Sequence, residues 1–153
     1  MKKRLLFILV FAILLTAVPS VGLRASAAAG EAWDGSIGTS FDGGTGTQAD
    51  PYLIGSGKTL AYLAKQVNEE KQRYNANTYF RMTADIDLGN LPWTAIGKYE
   101  DGTNANRLCF NGHFDGDGHC ITGLNAIAPD STATRIGLFG VMLTGSVRNL
   151  GIE

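Results

Sequence analysis

Cysteine and histidine are scarce in this chain of 153 residues, and their scarcity excludes two classes of site. The two cysteines, Cys109 and Cys120, are too few for a disulfide-built scaffold, and their spacing matches no zinc motif. The two histidines, His113 and His119, have no third ligand at a typical metal-binding spacing. In an oxidising compartment the cysteines would either pair in a disulfide or remain two half-buried free thiols, and the sequence leaves both states open.

Long apolar runs are also missing, apart from one at the N-terminus. Three basic residues within positions 1–4 precede an apolar run of 14 residues at 5–18, and small residues follow at 25–29. This order is typical of a secretory signal peptide with cleavage after Ala27 or Ala29, whereas a membrane-spanning helix needs about 20 apolar residues. We therefore assign 1–27 to a signal peptide and expect an exported protein that is secreted or held at the cell surface.

The chain beyond that segment is short of basic residues. It carries nine basic and 14 acidic residues, a net charge near −5. This balance argues against nucleic acid or an anionic membrane surface as a partner. No later run is long and apolar enough to span a bilayer.

The region 28–51 is predicted to be an irregular leader. It is dense in Gly, Asp, Ser and Thr, which favour turns over regular structure. Its apolar side chains Trp33, Ile37 and Phe41 are expected to hold the leader against the body of the protein.

A single helix is predicted over 57–71. Apolar residues recur there at helical spacing on one face, at Leu60, Leu63, Ala64 and Val67. The stretch Gly55 to Thr59 just before it looks like a phosphate-binding loop, but that motif requires a Gly where this chain has Tyr52. We therefore expect a capped helix start and no nucleotide.

The remainder of the chain is predicted to be mostly β. Residues 78–89 alternate between apolar and polar, and later short apolar segments are punctuated by Gly. Gly112-His113-Phe114 matches Gly137-Leu138-Phe139 after 25 residues, and Ile121-Thr122-Gly123-Leu124 matches Val147-Arg148-Asn149-Leu150 after 26. Such a period indicates a β-solenoid over 52–153, with the helix covering its first coil and the chain expected to be cut short at its C-terminus. The alternative is an antiparallel β-sandwich.

Two stretches resemble bacterial surface proteins that carry the GLUG motif: "GHFDGDGHCITGL" at 112–124 and "GLFGVMLTGSVRNLGIE" at 137–153. Gly137, Leu138, Phe139 and Gly140 would be the motif itself. The resemblance implies a right-handed parallel β-helix of the pectin-lyase-like kind, in an exported, modular surface protein. It brings no family-wide catalytic residues, and Cys109 and Cys120 depart from the usual residues.

Two groups of side chains are candidates for ligand binding. If neighbouring coils align them, four aspartates could form an acidic groove that holds calcium against an acidic sugar; they are Asp85, Asp87, Asp115 and Asp117. Ordinary turns and solvated faces explain the same residues more simply. Four tyrosines at or near polar positions are expected to be exposed and could stack on sugar rings; they are Tyr62, Tyr74, Tyr79 and Tyr99, of which we retain Tyr79 and Tyr99. No residue is assigned as catalytic or as a metal ligand, and calcium is the only cofactor considered.

These observations favour an exported, non-catalytic surface module for adhesion or glycan contact, with a carbohydrate or a host or cell-surface protein as partner. One alternative is the N-terminal part of a β-helix polysaccharide lyase or glycoside hydrolase. Another is a purely structural spacer or cap of a longer repeat array.

Overall fold

The structure is a computed structural model, and it describes residues 30–70, 74–99, 107–127 and 135–153; for Tyr99 and Arg107 it describes the backbone alone. The predicted signal peptide therefore lies outside the described residues. One helix and eleven short strands follow the leader: β1 Tyr52–Ile54, α1 Gly57–Asn68, β2 Tyr79–Met82, β3 Ile86–Asp87, β4 Pro92–Trp93, β5 Lys98–Tyr99, β6 Arg107–Leu108, β7 His113–Asp115, β8 Cys120–Thr122, β9 Asn125–Ala126, β10 Ser146–Arg148 and β11 Gly151–Ile152.

The strands stack in parallel across the chain. The largest sheet has the order β1-β2-β7-β10, and a second has the order β11-β8-β3. In the first sheet Phe80 pairs with Tyr52 on one side and Phe114 on the other, and Phe114 pairs in turn with Val147. These residues form one row along the sheet. Phe80 and Phe114 are buried, whereas Val147, in the edge strand β10, is 37% exposed.

The predicted β-helix is wrong. In the described residues the strands form four separate sheets of two to four strands, one of them an antiparallel pair, and no closed solenoid results. The antiparallel sandwich is not formed either, because every other strand pair is parallel. No described strand is longer than four residues, and left-handed residues interrupt the chain between strands, at Asn90 between β3 and β4 and at Asn149 between β10 and β11, so the sheets stay small and separate.

The predicted repeat also has the wrong register. Phe114 lies 34 residues from Phe80 and 33 residues from Val147, its two partners in the sheet. Ile121 pairs with Ile152 rather than with the residue 26 positions away. The structural period is therefore longer than the period read from matching letters.

Helix α1 closes one side of the core. Ser56 caps its N-terminus by accepting a hydrogen bond from the Thr59 amide, and the helix ends at Asn68, before the predicted end at 71, which lies outside the described residues. Leu60, Leu63 and Val67 are at most 1% exposed and belong to the same cluster as the inward strand residues. Burying each of these side chains contributes roughly 1.5–3 kcal/mol, which is enough to fix the helix against the sheet.

A buried side chain at the end of α1 fixes the helix position. Asn68 donates to the carbonyl of Ala95 at 2.9 Å and accepts from the amide of Gly97 at 2.9 Å. Both bonds satisfy backbone groups that would otherwise be buried without a partner, so they anchor the helix end to the segment after β4.

Candidate functional site

An open cleft lies between the leader, the start of β1 and the exposed side of α1. Its volume is about 360 Å³, and aromatic and small polar residues line it: Ser40, Phe41, Gly43, Gly44, Tyr52, Tyr62, Gln66 and Tyr74. We call it the aromatic cleft. Small-molecule sites in proteins combine an apolar surface with a few polar groups in a volume of about 300–1,000 Å³, and this cleft falls at the lower end of that range.

Phe41 organises the aromatic rings of the cleft. Its ring stacks on Tyr52 at 4.5 Å between centroids and meets the edge of Tyr62 at 5.1 Å. It also contacts Phe80, which belongs to the buried core, at 5.6 Å. Since each aromatic pair adds about 0.5–1.5 kcal/mol, the rings are held in place before any ligand arrives.

Tyr74 supplies a polar group to the cleft. The residue is 8% exposed, and its ring meets Phe80 edge-on at 5.0 Å. Tyr74 is also one of the residues that line the cleft. Burial, with smaller effects from Tyr52, Tyr62 and Glu70, raises the pKa of Tyr74 well above its usual value, so the phenol stays neutral.

The leader forms one wall of the cleft and is tied down by Asp42. Its carboxylate accepts from the Gly55 amide at 2.7 Å and from the Thr59 hydroxyl at 2.8 Å. Backbone bonds between residues 42–43 and Leu53 extend the attachment along β1. Gly44 has a φ of 81°, and a Cβ there would overlap the carbonyl oxygen of Pro51, so only glycine lets the leader approach β1 this closely.

The same contacts show what fills the loop that looked like a phosphate site. The Asp42 carboxylate accepts a hydrogen bond from the Gly55 amide, and the Ser56 hydroxyl accepts one from the Thr59 amide. Lys58 points to Asp34, with 3.7 Å between the charged atoms. The stretch is thus a capped helix start whose donors bind groups of the chain itself.

Asp115 and Asp117 are built into a turn. The carboxylate of Asp115 accepts from two nitrogens of Arg148 at 3.0 and 2.7 Å, from Asn149 at 2.9 Å and from the Asp117 amide at 3.0 Å. Burial alone would raise the pKa of Asp115, but these hydrogen bonds and the Arg148 charge outweigh it and lower the pKa. Asp117 is exposed and has a φ of 49°, a left-handed position that Asp tolerates.

Asp85 and Asp87 are likewise held by local bonds. One oxygen of Asp85 contacts Nδ1 of His119 at 3.0 Å and accepts from the Cys120 amide at 3.0 Å. Asp87 accepts from the Gly89 amide at 2.8 Å. The structure therefore gives each candidate aspartate its own environment instead of a shared groove, and among the described residues no three His, Cys, Asp or Glu side chains group closely enough to hold a metal ion. Calcium binding stays a prediction.

Tyr79 lies on the outer side of the large sheet, away from the aromatic cleft. Its ring stacks on His113 at 4.7 Å, and both ring nitrogens of His113 are within 2.9 Å of partners, the Ser146 hydroxyl and the Ala76 carbonyl. Tyr79, His113 and Ser146 therefore form a column across three neighbouring strands, and the contacts within it are made by the protein's own side chains. The side chain of Tyr99, the other predicted tyrosine, lies outside the described residues.

The GLUG-like segment 137–140 packs inside the protein. Leu138 is 3% exposed and accepts from the Ile96 amide at 2.9 Å, while the amide of Gly140 donates to Ile96 at 2.9 Å. Phe139 contacts Phe110 and Phe114 at 5.0 and 5.4 Å. The segment thus pairs with the backbone at Ile96 and packs Leu138 and Phe139 against the core.

The two cysteines are free thiols in the structure, which is one of the two states that the sequence left open. Cys109 is buried and Cys120 is half-buried.

The aromatic cleft was only partly foreseen from the sequence. Tyr62 and Tyr74 belonged to the exposed-tyrosine pattern, although Tyr74 is in fact buried. In the sequence, Phe41 and Tyr52 cannot be distinguished from ordinary core residues, because neither the turn-rich leader nor the short strand shows which aromatic side chains line a cleft. Only the folding of the leader back over β1 brings them beside the helix.

Comparison with known proteins gives limited information. No family model matches the chain, and no solved structure matches it. A curated protein of Evansella cellulosilytica, provisionally named a Gly-rich membrane protein, is 38% identical over 110 residues. The match covers 67% of this chain and 11% of that protein, so this chain spans about one ninth of its relative's length. In the described residues no helix is long and apolar enough to cross a membrane.

Proposed function

We propose that this chain is an exported, non-catalytic module that contacts glycans at the bacterial surface through the aromatic cleft. The observation that carries the proposal is the set of rings from Phe41, Tyr52 and Tyr62, held together beside open solvent rather than sealed in the core. Sugar rings present apolar C–H faces that stack on aromatic rings and hydroxyls that need hydrogen-bond partners. The cleft offers both kinds of contact.

Export is supported by the N-terminal order of basic, apolar and small residues. The resemblance to GLUG-motif surface proteins and the name of the Evansella relative agree with a place at the cell envelope. N-terminal sequencing of the protein released by a bacterial host should give a chain that starts at Ala28 or Gly30. A chain that keeps Met1 and stays in the cytoplasm would contradict export.

The non-catalytic part of the proposal is supported by the state of the acidic residues. Asp115 is neutralised by Arg148, and Asp87 is bound to a neighbouring amide. A general acid in glycan hydrolysis needs a raised pKa, whereas the pKa of Asp115 is lowered. No contact in the described residues favours the lyase or hydrolase alternative.

Binding to immobilised polysaccharides tests the proposal. The purified full-length chain is passed over a panel of neutral and acidic polysaccharides, and soluble products are followed by ultraviolet absorbance and reducing-end assay. We expect retention on at least one polysaccharide without product. The absence of binding throughout the panel would overturn glycan contact, and product formation lost in Asp85→Asn or Asp115→Asn would overturn the non-catalytic assignment.

A further inference from the structure

We infer that the aromatic cleft takes an uncharged pyranose ring of a neutral polysaccharide rather than an acidic sugar. This inference rests on the proposed function and adds the class of ligand. Its first support is the lining itself: the eight lining residues include four aromatic side chains, three of them phenols, and no Lys, Arg, Asp or Glu. The polar groups of the cleft are thus hydroxyls, an amide and backbone.

A carboxylate beside the lining disfavours an anion. Gln66 donates to the carboxylate of Glu70 at 2.6 Å, so a carboxylate lies one hydrogen bond from the cleft. Lys65, the cation beside it, is paired with that same carboxylate at 3.3 Å. A uronate entering the cleft would lose water around its charge without gaining a cation from the lining, and an unpaired buried charge is costly.

The polar groups are suited to sugar hydroxyls. Tyr74 lines the cleft, and its neutral phenol can both donate and accept a hydrogen bond. Gln66 uses one amide hydrogen on Glu70, which leaves a second N–H and the carbonyl oxygen for a ligand. Ser40, from the leader, is a further polar residue of the lining.

The aromatic rings determine where the sugar would lie. Phe41 is stacked on Tyr52, so one of its faces is already covered. Tyr62 is half-buried, lines the cleft and lies T-shaped to Phe41 rather than stacked on it. Tyr62 is therefore the stacking residue, and Gln66, one turn further along α1, is the hydrogen-bonding residue.

Isothermal titration of the full-length chain tests this assignment. The probes are cellohexaose, mannohexaose, xylohexaose and chitohexaose as neutral ligands, and hexagalacturonate as the acidic one. We expect a neutral ligand to bind and hexagalacturonate not to bind. Loss of one stacking contact in Tyr62→Ala should weaken the neutral ligand by about tenfold, whereas Tyr62→Phe should retain most of the affinity.

A matched pair of glutamines provides the control. Gln66→Ala should weaken binding by about fivefold, as loss of a hydrogen bond to a neutral group implies. Gln48→Ala removes an exposed glutamine that lies in the leader outside the cleft, and it should leave affinity unchanged. Circular dichroism of each variant separates lost binding from lost folding.

Two results would overturn the inference while leaving glycan contact standing. One is tight binding of hexagalacturonate in preference to every neutral probe. The other is neutral binding that Tyr62→Ala and Gln66→Ala leave intact in folded protein. Failure of all five probes, together with failure of the polysaccharide panel, would instead overturn the proposed function itself.

Discussion

Replacing Asp42 by Ala should detach the leader from the helix start and weaken the whole N-terminal part. The Asp42 carboxylate bonds to the Gly55 amide at 2.7 Å and to the Thr59 hydroxyl at 2.8 Å. These bonds join residues 13 and 17 positions apart in the chain, so they fix the leader to the structure that follows it. The neighbours of Asp42, Phe41 and Gly43, line the aromatic cleft.

The size of the effect follows from the two hydrogen bonds. A hydrogen bond to a charged group contributes about 1.5–3 kcal/mol, and a bond to a solvent-exposed group contributes less. Because Asp42 is exposed, we expect the pair to contribute about 1–2 kcal/mol. For a domain of this length each kcal/mol corresponds to about 3–6 °C in melting temperature, so Tm should fall by about 3–12 °C.

Thermal unfolding followed by circular dichroism measures this fall, and Asp50→Ala is the matched control. Asp50 is an exposed aspartate of the same leader whose bonds come from its backbone, and Ala keeps those bonds. Asp50→Ala should therefore melt within about 1 °C of the parent chain. If Asp42→Ala and Asp50→Ala melt together, the leader is not held by this carboxylate and the reasoning fails.

Three further outcomes follow from single contacts. Asp115→Asn should cost about 1 kcal/mol at pH 7, measured by urea unfolding, and the loss should shrink as the pH falls below 3.8. Because the folded pKa is lowered, this stabilisation is fully present above the unfolded value of 3.8 and is lost as the pH falls through the lower folded value. A pH-independent loss would contradict this. Gly116→Ala places a Cβ 2.5 Å from the Asn149 carbonyl oxygen and should cost about 1–3 kcal/mol in the same assay; an unchanged midpoint would show that the strands are not packed this closely. Thiol titration of the native protein should modify half-buried Cys120 before buried Cys109, with both reacting after denaturation; no reaction without reductant would reveal a disulfide.

The helix was predictable because its signal is local. Leu60, Leu63 and Val67 recur at helical spacing, and the structure buries all three in the core. The leader was predictable in part. Phe41 packs against the core as expected, and so does Trp33, which meets Trp93 at 5.6 Å between ring centroids. Ile37, the third expected apolar contact, is 49% exposed, because a turn-rich segment gives no period from which to read direction.

The arrangement of the sheets was harder to predict from the sequence. Parallel pairing between the strands joins residues 28 to 35 positions apart, whereas matching letters pointed to 25 and 26. The repeated feature is a position in the sheet, and the residue type there changes from Phe at 80 and 114 to Val at 147. Similarity of letters therefore indicated the wrong partners, and it suggested a closed solenoid that the short strands do not form.

The candidate site shows the same limit. The aspartates were candidates because neighbouring coils could have aligned them in one groove, but Asp85 and Asp115 each bind a partner that the sequence does not identify. The aromatic cleft depends on three separate segments, and Phe41 and Tyr52 meet only when the leader folds back. Tyr52, Tyr62 and Tyr74 line the aromatic cleft and Tyr79 does not, and this difference comes from their positions in the fold rather than from residue type.

The most direct test of the account is a nuclear magnetic resonance titration of the full-length chain with the neutral hexasaccharides named above. If glycans bind in the aromatic cleft, the amide resonances of Phe41, Tyr62 and Gln66 should shift with ligand concentration, while those of Val147 and Ile152 on the far strands stay in place. Shifts confined to the far strands, or to the Tyr79 and His113 column, would contradict the cleft as the site of glycan contact.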